Sequence, residues 1–122
     1  MHSFEELEVW KETRTFRKVI SELVRMFPSK EKFRLQDQIL RSSRSVSANI
    51  AEGYGRFHHQ ENIQFCRIAR GSIYETLDHI ICAKDEKFIT ESQYSNYKEQ
   101  FDLYLKLLNG YIAYLKKAKK NQ

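Results

Sequence analysis

Apolar residues recur every three or four positions through four separate stretches of the chain. In the first, Val9, Thr13, Phe16, Ile20, Leu23 and Phe27 alternate steps of four and three, and Leu7, Trp10, Val19 and Val24 widen the seam. This is the spacing of one buried helix face. Ser3 and Glu6 stand at capping-box spacing ahead of it. Pro28 closes it, since proline lacks an N–H and disfavours the α conformation at Phe27. The pattern predicts a helix over 4–27.

Ser29 and Glu31 supply start chemistry for a second helix over 30–52, with Gly53 as a left-handed stop. A third runs over 59–88 and turns Cys66, Ala69, Ile73, Leu77 and Ile80 inward. Thr90 and Gln93 repeat the capping-box spacing and open a fourth over 91–118. There Tyr94, Tyr97, Phe101, Tyr104, Leu108, Tyr111, Leu115 and Ala118 step by three and four without a miss, and Leu105, Ile112, Leu107 and Tyr114 add apolar edges. So broad an apolar surface exceeds what three intrachain neighbours need and predicts contacts between subunits. The connections are short and no linker or internal repeat divides the chain. The expected fold is therefore one all-α domain over 1–122, an up-and-down antiparallel four-helix bundle.

Composition narrows the function more than the fold. The 122 residues include one proline and four glycines, with 41% hydrophobic and 30% charged positions, which suits solvated helix faces around one core. No apolar run approaches the ~18 residues of a membrane span. The start, Met1-His2-Ser3-Phe4-Glu5-Glu6, is acidic where a secretory leader is basic and then apolar, so a cytoplasmic protein without membrane contact is expected. Cys66 and Cys82 lie ~24 Å apart along one helix, too far to bridge, and read as two buried reduced thiols. The net charge of +5 and pI near 9.2 permit an acidic partner such as nucleic acid without requiring one.

The second helix is unusual. Beside its apolar stripe of Leu35, Ile39, Val46 and Ile50 runs a polar one, Gln38, Arg41, Ser45, Asn49 and Glu52. If it faces inward or into a subunit interface, each group needs a partner, because an unpaired buried polar group costs ~1–3 kcal/mol. The stripe reads either as a network fixing helix register or as a ligand site.

The run Gln38-Ile39-Leu40-Arg41, Ser45-Val46 and Asn49-Ile50-Ala51-Glu52-Gly53-Tyr54-Gly55-Arg56 resembles the signature of a bacterial four-helix-bundle family, the proteins encoded by intervening sequences within 23S ribosomal RNA genes. Phe4, Leu7-Glu8-Val9-Trp10-Lys11, Phe27-Pro28 and Ala69-Arg70-Gly71-Ser72 with Glu75 extend the match along nearly the whole chain. Where members usually carry small apolar residues and a proline, this sequence has Ser42, Ser43, Arg44 and Ser47. The resemblance implies a left-handed bundle and, by analogy with a retroelement accessory protein of similar fold, a homopentameric ring. It implies no defined activity. Ribosomal RNA or other nucleic acid is one implied partner, and a protein such as a reverse transcriptase is the other.

Candidate chemistry is sparse. Gly53-x-Gly55 lacks the third glycine and preceding strand of a dinucleotide site. His79 and Cys82 lie one turn apart but nothing completes a metal set. No nucleophile context is recognisable, and an enzyme would centre on Arg41 and Glu52. The expectation is a non-catalytic binding protein without cofactor or metal. Candidate nucleic-acid contacts are Lys11, Arg14, Lys18 and Arg25 on one stripe of the first helix, Arg56, and Lys116, Lys117, Lys119 and Lys120 at the C-terminal end. The last four also suit a helix C-terminus through its dipole. The loop Tyr54-Gly55-Arg56-Phe57-His58-His59 either plugs the bundle end or offers stacking surfaces to unpaired bases. The rival to nucleic-acid binding is a scaffold or accessory subunit for a protein partner.

Overall fold

The structure, a computed structural model, describes residues 3–120. Met1-His2 at the start and Asn121-Gln122 at the end, which belong to the expected 1–122 domain, lie outside the described residues. Four helices account for most of the chain: α1 (Glu8–Val24), α2 (Leu35–Gly55), α3 (His59–Asp85) and α4 (Glu91–Lys120). Each packs on its neighbour in sequence, and α1 closes the circle against α4. Partner numbers fall on one helix as they rise on the next, as in Ser42 with Thr76 and Ser45 with Ser72, or Asn62 with Tyr111 and Arg70 with Asn109. The helices are therefore antiparallel neighbours in an up-and-down four-helix bundle.

The predicted seams form the core. Phe16 meets Phe101 edge-on at 4.9 Å between ring centroids and Tyr104 at 5.0 Å. Ile20, Ile39, Val46, Ile50, Ile73, Ile80 and Leu108 are fully buried around them. On α3 the buried position is Thr76, and Leu77 is only half-buried. Ile112, expected on an outer edge, is buried within its own chain.

Helix ends depart from the sequence reading, each for a local reason. Ser3 accepts the Glu5 N–H at 3.1 Å and opens a single 3-10 turn, after which Leu7 turns extended (φ −70°, ψ 125°) and delays α1 to Glu8. The reciprocal Ser3–Glu6 box does not form. The chain leaves α1 at Val24, three residues ahead of the expected end at Phe27, and a second 3-10 turn over Ser29–Glu31 precedes α2. The Thr90–Gln93 box does form, with the Gln93 N–H donating to Thr90 Oγ1 at 3.0 Å and the Thr90 N–H to Gln93 Oε1 at 2.8 Å. At the end of α3, Lys87 adopts φ 65° while the Phe88 N–H reaches back to the Ala83 carbonyl at 2.9 Å, a left-handed cap made without glycine.

Gly53 is not a stop. It lies inside α2, which continues unbroken to Gly55, and no described glycine has positive φ. What requires glycine there is crowding: a Cβ would sit 2.7 Å from Asn62 Oδ1 and 2.8 Å from Phe65 Cβ on α3. The left-handed residue after α2 is Phe57, at φ 55°.

Candidate nucleic-acid interface

The polar stripe of α2 divides. Ser45 and Asn49 turn toward α3: the Ser45 hydroxyl lies 2.9 Å from that of Ser72, and Asn49 Nδ2 donates to the Ser45 carbonyl and hydroxyl at 2.8 and 2.9 Å. Gln38, Arg41 and Glu52 are exposed, with Glu52 paired to Arg56 at 3.3 Å. The stripe is thus not one site, and Arg41 and Glu52 form no polar centre.

A second set of polar groups, on the positions where the family pattern departs, is more deeply buried. Ser42, Ser43 and Ser47 are almost fully enclosed. Thr76 Oγ1 lies 2.8 Å from both the Ser42 hydroxyl and the Ser72 carbonyl, its single proton serving one of them at a time. Arg17 on α1, half-buried, donates to Ser47 Oγ at 2.9 Å. With Gly53 these small side chains let α2 and α3 approach closely, and each hydroxyl is satisfied locally or across the interface. These contacts tie α2 to α3 at Ser42 and Ser45 and to α1 at Ser47.

Cys66 is buried, and burial pushes its thiol up to about 12. Cys82, expected to be buried, is exposed. The reason is angular: sixteen residues at ~100° each place it ~160° around α3 from Cys66. His79 pairs with Glu75 at 3.2 Å, and no metal-holding cluster of His, Cys, Asp and Glu occurs among the described residues.

The basic candidates separate by their surroundings. Arg25 is held by Glu22 at 3.2 Å, and Arg56 by Glu52 while its guanidinium lies 5.0 Å over the Phe65 ring. Lys11, Arg14 and Lys18 are exposed on α1, with Arg14 over Trp10 at 5.6 Å. No carboxylate pairs with any of these three among the described residues. The C-terminal lysines are all exposed. Three of them, Lys116, Lys119 and Lys120, line a cleft of about 330 Å³ with Gln60, Ile63 and Arg67 of α3. Lys119 Nζ donates to Gln60 Oε1 across it. Lys117 is not part of its lining.

Among the described residues no acidic side chain lines that cleft, so its charges are uncompensated at close range. Sequence reading missed Arg67 and Gln60. Neither carries a local signal, since both join the site only because α3 docks antiparallel on α4. The stretch from Tyr54 to His59 divides between the two expected roles. Tyr54, at the end of α2, is half-buried against the core, whereas Phe57 is 87% exposed beside it at 6.1 Å.

No helix among the described residues is long and apolar enough to cross a membrane. No curated protein matches this sequence. Among solved structures, the chain resembles a protein of unknown function from the S23 ribosomal protein family of Bacteroides thetaiotaomicron VPI-5482. The TM-score is 0.79 at 27% identity, covering 86% of this chain and 95% of that one. The family model of the 23S rRNA-intervening sequence protein matches residues 5–110. The match spans most of the chain, and this chain belongs to the 23S rRNA-intervening sequence protein family.

Proposed function

We propose that this chain is a non-catalytic, cytoplasmic binding protein that engages the phosphate backbone of RNA or DNA at one end of its bundle. The observation that carries this reading is the cleft between α3 and α4, where Arg67, Lys116, Lys119 and Lys120 converge without a lining carboxylate among the described residues. Cations so placed displace condensed counterions when they meet phosphates, which makes affinity fall steeply with salt. Lys11, Arg14 and Lys18, exposed on α1, add to the positive charge offered to phosphates.

Fluorescence anisotropy with a structured RNA tests it. Wild-type affinity falls steeply between about 50 and 200 mM salt in a log–log plot. Joint reversal of Lys116, Lys119 and Lys120 to glutamate lowers affinity uniformly across sequences and flattens the salt slope by roughly 0.7–0.9 for each phosphate no longer engaged. No binding, or binding indifferent to salt, refutes the proposal.

A second reading rests on the outer surface of α4. Leu103 is 50% exposed, with half-buried Leu107 one turn along on the same stripe. This surface suits self-association into the homopentameric ring, or a scaffold for a protein partner such as a reverse transcriptase. A ring would repeat the basic clefts as a belt. Light scattering reads the assembly directly, and a monomer at micromolar concentration removes it. A stoichiometric protein partner that survives nuclease treatment favours the scaffold over nucleic acid.

A further inference from the structure

The same end of the bundle holds a second, larger opening of different chemistry. The N-termini of α1 and α3 and the C-termini of α2 and α4 meet there around a cavity of about 530 Å³, a volume ordinary for small-molecule sites. Its walls are aromatic, including Tyr54, Phe57, Tyr111 and Tyr114, with His58, His59 and Asn62 adding polar groups. Phe57 and Tyr114 stand at the rim, 87% and 63% exposed. Phe57 holds φ 55°, a conformation that costs a non-glycine residue ~1–2 kcal/mol, yet it buries almost nothing of its own ring. An exposed aromatic ring kept at a strained position serves contacts outside the chain better than contacts within it.

The polar groups point to what those contacts are. Asn62 is fixed by donating Nδ2 to the Tyr111 hydroxyl at 3.2 Å. Nδ1 of His59 is the one described side-chain nitrogen or oxygen that is buried without a hydrogen-bond partner. A planar ligand with hydrogen-bonding edges would stack on the rim rings and present those edges to the histidine, tyrosine and asparagine groups of the lining. Gln60 and Ile63 lie one residue beyond His59 and Asn62 on α3, and Lys116 follows Leu115 on α4, so the phosphate-binding cleft begins where the aromatic cavity ends.

We infer that the aromatic cavity is a nucleobase site, which takes an unpaired base of the strand whose phosphates occupy the adjacent Lys116–Lys119–Arg67 cleft. The inference rests on the nucleic-acid reading above and deepens it: the preferred ligand is single-stranded or has a base splayed out of its stack. Stacking supplies the preference over duplex, and the cleft supplies the salt-dependent part of the affinity.

The experiment uses a single-stranded RNA carrying one 2-aminopurine, a paired duplex of the same sequence, and free 2-aminopurine riboside, whose fluorescence is quenched on stacking. Binding of the single strand quenches the probe, and the single strand binds about fivefold or more tighter than the duplex, the worth of one stacked base. Tyr114→Ala and Phe57→Ala, at exposed positions, abolish quenching and preference while keeping the salt slope. The triple lysine reversal weakens both ligands and leaves quenching by the free riboside intact. Equal affinity for strand and duplex without quenching overturns the base site while sparing the basic cleft. If neither RNA binds, the cleft reading fails, and the uncharged riboside decides the cavity alone: quenching lost in Tyr114→Ala supports it and no quenching overturns it.

Discussion

Replacing Gly53 by alanine isolates the feature on which the α2–α3 interface depends. An added Cβ would lie 2.7 Å from Asn62 Oδ1, 2.8 Å from Phe65 Cβ and 3.2 Å from the Asn62 carbonyl oxygen. Carbon atoms pack best at about 3.5–4.0 Å, so α3 has to retreat by about 0.7 Å. Neither Phe65 Cβ nor the Asn62 backbone can rotate aside, because both belong to the frame of α3. Overpacking of this kind costs about 1–3 kcal/mol. Displacing Asn62 also disturbs its bond to Tyr111, worth about 1 kcal/mol. Against this, alanine improves helix propensity over glycine by about 1 kcal/mol. The net is a loss of about 1–3 kcal/mol, or a Tm lower by about 4–12 °C for a domain of this size.

Gly110→Ala is the matched control. It lies within α4 with nothing inside 4 Å of its would-be Cβ, so only propensity acts and stability rises by about 1 kcal/mol. Urea unfolding followed by far-ultraviolet circular dichroism, at one protein concentration for all variants, reads both shifts in the midpoint at constant slope. Opposite signs for the same chemical change are the expected outcome. If Gly53→Ala is stabilising like Gly110→Ala, close approach of the helices is not what holds glycine at 53, and its role in helix register falls too.

Three further outcomes follow from local geometry. Lys87 sits at φ 65° in the cap of α3, so Lys87→Gly relieves left-handed strain and raises stability by about 0.5–1 kcal/mol in the same urea assay. Burial pushes the Cys66 thiol from 9.0 up to about 12, and burial also raises Tyr97, Tyr104 and Tyr111, with the Asn62 hydrogen bond partly opposing the last. The unfolded chain therefore ionises first: the Cys66 contribution is whole below pH 9 and declines above it, by about 1.4 kcal/mol at pH 10, a slope that Cys66→Ala removes. At pH 8 iodoacetamide labels exposed Cys82 slowly, because partial burial and then Glu86, Asp78, Asp85 and Glu31 raise its thiol. It labels Cys66 only in denaturant, and mass spectrometry of the two peptides checks the order.

Where a single helix face decides a position, the sequence was legible. The seam from Tyr94 to Ala118 and the box of Thr90 and Gln93 needed no tertiary information, since periodicity and side chain-to-backbone capping are local. Positions decided by a neighbouring helix were not. Ser42, Ser43 and Ser47 look like polar intrusions in a helical pattern, yet they are buried because small side chains are what close packing on α1 and α3 admits. Gly53 looks like a terminator because glycine usually ends helices, but its role is set by Asn62 and Phe65 across the interface. Ser45 and Asn49 share a stripe with Arg41 and Glu52 on a helical wheel, and only the docking of α3 separates the half-buried pair from the exposed one.

The candidate site depends on the same docking. Arg67 and Lys116 are far apart in sequence, and what aligns them is the register of α3 on α4, held by Asn62 with Tyr111 and by Arg70 with Asn109. Slipping that register by one turn would move Arg67 by about 5.4 Å along the groove and dissolve the cleft, with every charge retained. The charge of this protein is thus a weak guide to its binding surface. The polar contacts that align the helices decide where the charge gathers, so Asn109→Ala, which loses the bond to Arg70 and lies outside both the cleft and the aromatic cavity, alters RNA affinity even though it removes no cation.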